Sequence, residues 1–291
     1  MLNKLLTYLK ISRPGLWFPT IWIYALPLSG VYLIDDFNFW IGLLFVTFPL
    51  NFLVYGYNDY FDKEADEANP RKGNFLFGAK ASRTVLDTLP KAVSIVILPF
   101  FAYFIYVGSW QMLILLTAMV VINWLYNSPK TNLKSKPPFE LLIQIGYILT
   151  AYFSIVLNGV DYLSWQTIVY LCLFAFQSHI AGEIMDIEPD IKANKRTTAV
   201  LIGRKNAKFV MAFLLLLEVF MLCYYFQDYV LAASLGLFLA WLLIDVFILF
   251  KEKPYTLFQM KLFGIAINLI GFASMIWIWY SGLLLHPISR Y

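Results

Sequence analysis

Asn58, Asp62 and Asp66 fall four residues apart, and Asp186 and Asp190 repeat that interval far downstream. Four residues is close to one helical turn, so side chains at i, i+4 and i+8 stack along one face. Asp59 and Glu64 point elsewhere and are weaker ligand candidates. Carboxylates stacked in this way repel one another, and in a chain that is 60% hydrophobic they also cost desolvation energy. A cation must offset that cost, and a divalent metal is the simplest one. Magnesium prefers oxygen ligands, keeps several waters and binds through a few carboxylates plus the phosphates of a substrate. Two acidic clusters facing each other across a cavity would hold Mg2+ around a diphosphate and make it a better leaving group.

A diphosphate also needs cations from the protein. Arg71 and Lys72 follow the first motif, Lys195 and Arg196 follow the second, and the segment YNSPK brings Tyr126 and Lys130 to the same level. Arginine meets phosphate oxygens bidentately, whereas lysine acts as a mobile point charge. Each has a plainer reading. Tyr126 alone is an interfacial belt tyrosine, and the four cations are also topology signals.

The elements that must position these groups are membrane helices. Mean hydropathy is +0.69 and only 14% of residues are charged, far outside the range of soluble domains. Nine apolar stretches are long enough to cross a bilayer, at roughly 16–34, 39–57, 84–107, 110–126, 139–157, 165–182, 207–226, 229–250 and 262–285. Backbone groups in lipid must be satisfied internally, so the expected fold is all-α: a polytopic bundle of nine transmembrane helices around a central cavity, in one domain over 1–291. The amphipathic opening, with Leu2, Leu5, Leu6 and Leu9 beside Lys4, Lys10 and Arg13, reads as an interfacial helix.

Orientation follows from the cations. The N-terminal arm and the loops 58–83, 127–138, 183–208 and 251–261 carry 20 of the 22 lysines and arginines; Lys91 lies within a span and Arg290 at the far end. The opposite loops carry Asp35, Asp36, Asp161 and Asp228. An excess of Lys and Arg marks the cytoplasmic side, which puts the N-terminus and both acidic motifs there and the C-terminus outside, in a cell inner membrane. The net charge of +4 is thus a topology signal and gives no reason to expect nucleic acid. Cys172 and Cys223 both fall within spans and read as small packing residues.

NDxxDxxxD at Asn58 to Asp66, YxxxK at Tyr126 to Lys130 and DxxxD at Asp186 to Asp190 together resemble the UbiA superfamily of intramembrane prenyltransferases, over essentially the whole chain. Within it, the segments NPRKG after Asp66 and GEIMDIEPDIKANKRTTA around Asp186 and Asp190 are most similar to the lycopene-elongase group. The resemblance implies Mg2+-dependent transfer of an isoprenyl group from its diphosphate to a lipophilic acceptor, here a carotenoid end. Asp62, Asp66, Asp186 and Asp190, with Asn58, would then coordinate magnesium–diphosphate. Tyr126, Lys130, Arg71, Lys72 and Arg196 would hold the diphosphate. Quinone-type enzymes with aromatic acceptors share the scaffold, so the fold leaves the acceptor open.

Three further groups lie within spans. His179 reads as a hydrogen-bonded bundle residue or a substrate contact, and Glu218 as a group facing the acceptor or a developing cation. Asp245 is expected to pair with Lys251 or Lys253. A cation-coupled transporter is the rival from another class, but transporters place their carboxylates near the midplane on broken helices.

Overall fold

The computed structural model describes residues 2–288, so Arg290, expected beyond the last span, lies outside the described residues. The chain begins with α1 (Leu2–Ile11), the expected amphipathic helix, whose Leu5 and Leu6 are exposed. Its Tyr8 packs on Phe52, with ring centroids 5.3 Å apart, and shares a hydrogen bond with Thr88. α2 (Phe18–Ala25) continues as a 3-10 turn to Leu28. α3 (Phe37–Val46) and α4 (Phe48–Phe61) form one crossing with a break at Thr47, and α5 (Lys63–Ala68) prolongs it into the loop.

After α6 (Arg83–Asp87), the residues of α7 (Leu89–Asn127) are helical throughout, a length that would reach about 58 Å if straight. It is not straight. Val93 packs where a Cβ on Gly56 would sit, and Asn123 donates to the Leu53 carbonyl at 3.2 Å. Two residues thirty apart therefore touch one turn of α4, and the chain must reverse near Gly108, giving the two expected crossings. α8 (Phe139–Leu142) leads through a 3-10 stretch into α9 (Ile148–Asn158). α10 (Trp165–Lys192), α11 (Thr198–Ile202), α12 (Arg204–Met221), α13 (Tyr229–Phe247) and α14 (Leu257–Ser281) complete the bundle.

Among the described residues, eight helical segments are long and apolar enough to cross a membrane. The ninth expectation, 16–34, is helical only over Phe18–Leu28. That length spans about 16 Å, short of a hydrocarbon core of about 30 Å. Pro14 opens the segment and Gly30, at φ 75°, closes it. The protein is an all-helical, multi-pass integral membrane bundle.

Lipid tails are as apolar as leucine, so helix association here rests on close packing and on hydrogen bonds rather than on escape from water. Phe45, Phe104 and Phe153 supply the first: all three are fully buried, with Phe104 4.8 Å from Phe153 and 5.1 Å from Phe45. α14 approaches the bundle through two glycines. A Cβ on Gly264 would sit 2.7 Å from the Leu76 side chain, and one on Gly271 would collide with the Phe18 ring. Hydrogen bonds supply the second. The Asn51 amide, 2% exposed, donates to Thr20 Oγ1 at 2.9 Å and to the carbonyls of Val46 and Thr47, satisfying backbone freed by the break and tying it to α2. Asn51→Leu should therefore lower stability by about 1–2 kcal/mol, read as a lower Tm in detergent.

Candidate active site

α4 ends at Phe61, yet the helical spacing survives the break. The Asp62 amide donates to the Asn58 carbonyl and the Asp66 amide to the Asp62 carbonyl, each at 2.9 Å. Asn58 thus stays in register with Asp62: its side chain donates to Asp62 Oδ2 at 3.3 Å and to Asn127 Oδ1 at 3.0 Å. Asn127 in turn donates to Asn123, so a ladder of amides anchors the motif to the returning limb of α7.

Asp62 is 8% exposed and meets two ammonium groups, Lys134 at 2.5 Å and Lys195 at 2.8 Å. Burial pushes its carboxyl up, but the charges of Lys195 and Lys134 outweigh that and hold it below the usual carboxylate range. Burial lowers Lys134 despite Asp62. Burial acts on Lys195 in the same direction, but Asp62, Asp190 and Asp66 overcome it and leave that ammonium raised. Asp66 lies 2.8 Å from Lys72; there burial dominates and Asp59 adds to it, so the carboxyl rises to about 6.

The second motif sits on α10, whose 28 residues carry it beyond the apolar stretch. Asp186 is paired with Arg71 and accepts from the Asn69 side chain at 3.4 Å. Glu188 receives both hydrogens of one Arg204 nitrogen, at 2.6 and 2.8 Å, and Arg204 also donates to the Glu252 carbonyl. The Asp190 carboxylate makes no hydrogen bond or ion pair among the described residues, although its carbonyl accepts from the Lys195 amide at 2.9 Å. Each motif is therefore tied to the loop of the other: Lys195, past the second, reaches Asp62, and Arg71, past the first, reaches Asp186. The two acidic groups converge on one end of the bundle.

Of the expected phosphate partners, Arg71 and Lys72 point inward to carboxylates, and Lys72 is buried. Tyr126 lies beneath the motifs, its ring edge-on to His179 with centroids 6.2 Å apart. Lys130 and Arg196 are exposed. The cations that reach the acids from those two loops are Lys195, as the sequence allowed, and Lys134 in place of Lys130. Spacing could not choose among Lys130, Lys134 and Lys136, because the choice depends on how a non-helical loop turns. Asp59 does face away from Asp62, but it is 1% exposed rather than solvated, bridging Lys72 at 2.6 Å and Arg13 at 3.1 Å. The side chain of Glu64 lies outside the described residues. Arg13 stacks 4.3 Å over Tyr55; burial would lower its guanidinium, but Asp59 outweighs that and the charge is kept.

Asp245 departs from expectation. Its partner is Lys208, at 2.5 Å with both side chains fully buried, and Tyr255 donates to it at 2.6 Å. Lys251 contributes only backbone, its carbonyl accepting from Lys208. The next turn of α12 outcompetes the loop because it presents Lys208 inside the bundle. Glu218 is fully buried, and neither carboxyl oxygen has a hydrogen-bond partner among the described residues.

Fold and site together define a multi-pass helical membrane protein with two acidic motifs converging at one end. Comparison with known proteins makes the class specific. The profile of the UbiA prenyltransferase family matches residues 16–267. A lycopene elongase/hydratase of Corynebacterium glutamicum is 31% identical over 214 residues, covering 71% of this chain and 73% of that one. A lycopene elongase/hydratase of Haloferax volcanii is 30% identical over 216 residues, covering 70% and 68%. Among solved structures, a UbiA homologue from Archaeoglobus fulgidus bound to DMAPP and Mg2+ superimposes with a TM-score of 0.64 at 20% identity, covering 92% of this chain and 99% of that one. A digeranylgeranylglyceryl phosphate synthase gives 0.58 at 20% identity, covering 93% and 97%. The chain belongs to the UbiA prenyltransferase family and is a prenyltransferase, with its curated relatives in the lycopene-elongase group.

Asp59→Ala would leave Arg13 and Lys72 facing each other in a buried site. It should destabilise the fold by about 3–5 kcal/mol, seen as a large drop in Tm, whereas Glu67→Ala on the exposed side of the same loop should change Tm little.

Proposed function

We propose that this protein transfers a five-carbon isoprenyl group from an allylic diphosphate to the unsaturated end of a carotenoid, with Mg2+ as its metal. The reading is carried by one observation: the acids of both motifs converge, each cross-tied to the other's loop by a cation. Kinship to lycopene elongases supports the carotenoid acceptor over an aromatic one, and the diphosphate and Mg2+ carried by the Archaeoglobus fulgidus homologue support the donor and the metal. The cation distribution supports a site on the cytoplasmic side of an inner membrane, in a single domain over 1–291.

The residues fit a hard divalent ion. Asn58, Asp62, Asp66, Asp186 and Asp190 offer only oxygen donors from their carboxylates and amide carbonyl. No three acidic or histidine side chains already converge as a metal cluster among the described residues. Ammonium and guanidinium groups occupy the acids instead, standing where positive charge is wanted. Mg2+, when bound, would neutralise the departing diphosphate. The protein's own part follows from its charges. Lys134, Lys195, Lys72 and Arg71, paired with the acids, would present their charges to the oxygens of an anionic head. Tyr126 closes the site on its apolar side, where a hydrocarbon chain enters among aromatic side chains.

Purified protein in liposomes should convert labelled dimethylallyl diphosphate and lycopene to an elongated carotenoid, and chelation of divalent metal should stop it. Asp62→Ala or Asp186→Ala should reduce turnover by at least about a hundredfold, and undiminished turnover in both would refute the assignment. Lys195→Met should raise the KM for donor more than Arg196→Met does. Metal binding requires deprotonated ligands. Because the Asp66 carboxyl lies near 6, metal affinity should fall as pH drops through about 6, measured by titration of Mg2+ at fixed ionic strength.

A further inference from the structure

The face of α10 that carries Asp186 and Asp190 continues inward as Glu183 and His179. These four positions, at i, i+4, i+7 and i+11 from His179, lie within one narrow stripe of the helix. Seven residues place His179 about 10 Å deeper than Asp186. That depth leaves room for a diphosphate head and one five-carbon unit above it.

The chemistry at that depth is specific. His179 Nε2 lies 3.1 Å from Glu183 Oε1. Glu183, 5% exposed, is fixed by its other oxygen, which accepts the Ala199 amide at 2.9 Å. Oε1 is buried and accepts no hydrogen bond, so it is an unsatisfied negative group aimed at the imidazole. Such a partner favours the proton on Nε2 and leaves Nδ1 as the basic nitrogen. The Tyr126 ring stands edge-on to the imidazole from α7. Glu140 from α8, Asp62 just past α4 and Asp190 also bear on that tyrosine, and Lys134 and Lys195 pair with Asp62. Nothing in the diphosphate chemistry uses the His179–Glu183 pair.

We infer that His179, oriented by Glu183, is the base that removes the proton after prenyl transfer. The inference rests on the proposed function. The C1–O bond of the donor breaks and its electron pair leaves with diphosphate. The π pair of the acceptor's terminal double bond forms the new C–C bond to C1, leaving a tertiary cation on the acceptor. A neighbouring C–H gives its proton to His179 Nδ1, and its electron pair becomes the new double bond. Glu183 balances the imidazolium until that proton passes to water. Without the base, the same cation is captured by water and the product is an alcohol.

The test measures diphosphate release and carotenoid products together, by mass spectrometry, for wild type, His179→Gln and Glu183→Gln with dimethylallyl diphosphate and lycopene in liposomes. Diphosphate release by His179→Gln should stay within about threefold of wild type, while its ratio of alkene to hydroxylated product falls at least about tenfold. Glu183→Gln should shift the ratio the same way by less. An unchanged ratio, loss of diphosphate release, or a wild type that makes only alcohol overturns the base. A wild type that forms no elongated product overturns the proposed function and the base with it.

Discussion

Asp62 shared between Lys134 and Lys195 is the interaction on which the rest of the site depends. A nearly buried carboxylate is expensive in a chain of this composition unless oppositely charged groups face it. Meeting that demand from two separate loops pulls 127–138 and 183–208 onto the end of α4. The Arg71–Asp186 pair makes the reciprocal link from the first loop to α10. Neither link is local in sequence, so the acids cannot converge until the bundle has closed.

The same logic extends outward from the acids. Asp59 is held between Arg13 and Lys72, which fixes the loop of the first motif to the chain just after α1. Glu188, between the two acids of the second motif, is held by Arg204, and one turn along α12 Lys208 grips Asp245 of α13. Asp59 and Asp245 are buried and Glu188 is half-exposed, and each meets a counter-charge on a different element. Removing one partner strands the other, so these pairs specify an arrangement more than they add net stability.

In the membrane-embedded part the constraints differ. Aromatic packing around Phe45, Phe104 and Phe153 and the Asn51 amide position the crossings, since lipid offers no hydrophobic incentive for helices to associate. Candidate site and scaffold thus obey separate rules, charge pairing at the end of the bundle and shape complementarity within it.

Sequence alone determined the class of fold, because long apolar stretches in lipid can only be helices, and it determined which acids share a face, because helical periodicity is a local property. It also located His179, Glu218 and Asp245 as groups that need an explanation. Tertiary structure decided the rest. The first expected span is helical over only eleven residues, bounded by Pro14 and Gly30. α7 doubles back near Gly108 to form two crossings. Lys134 and Lys195 reach Asp62 while Lys130 and Arg196 face outward, and Asp245 chooses Lys208 over the nearer Lys251 and Lys253. The reason is common to all of these: a charged side chain's partner is set by which helices and loops pack together, and that is information carried by contacts far apart in the chain, not by any spacing along it.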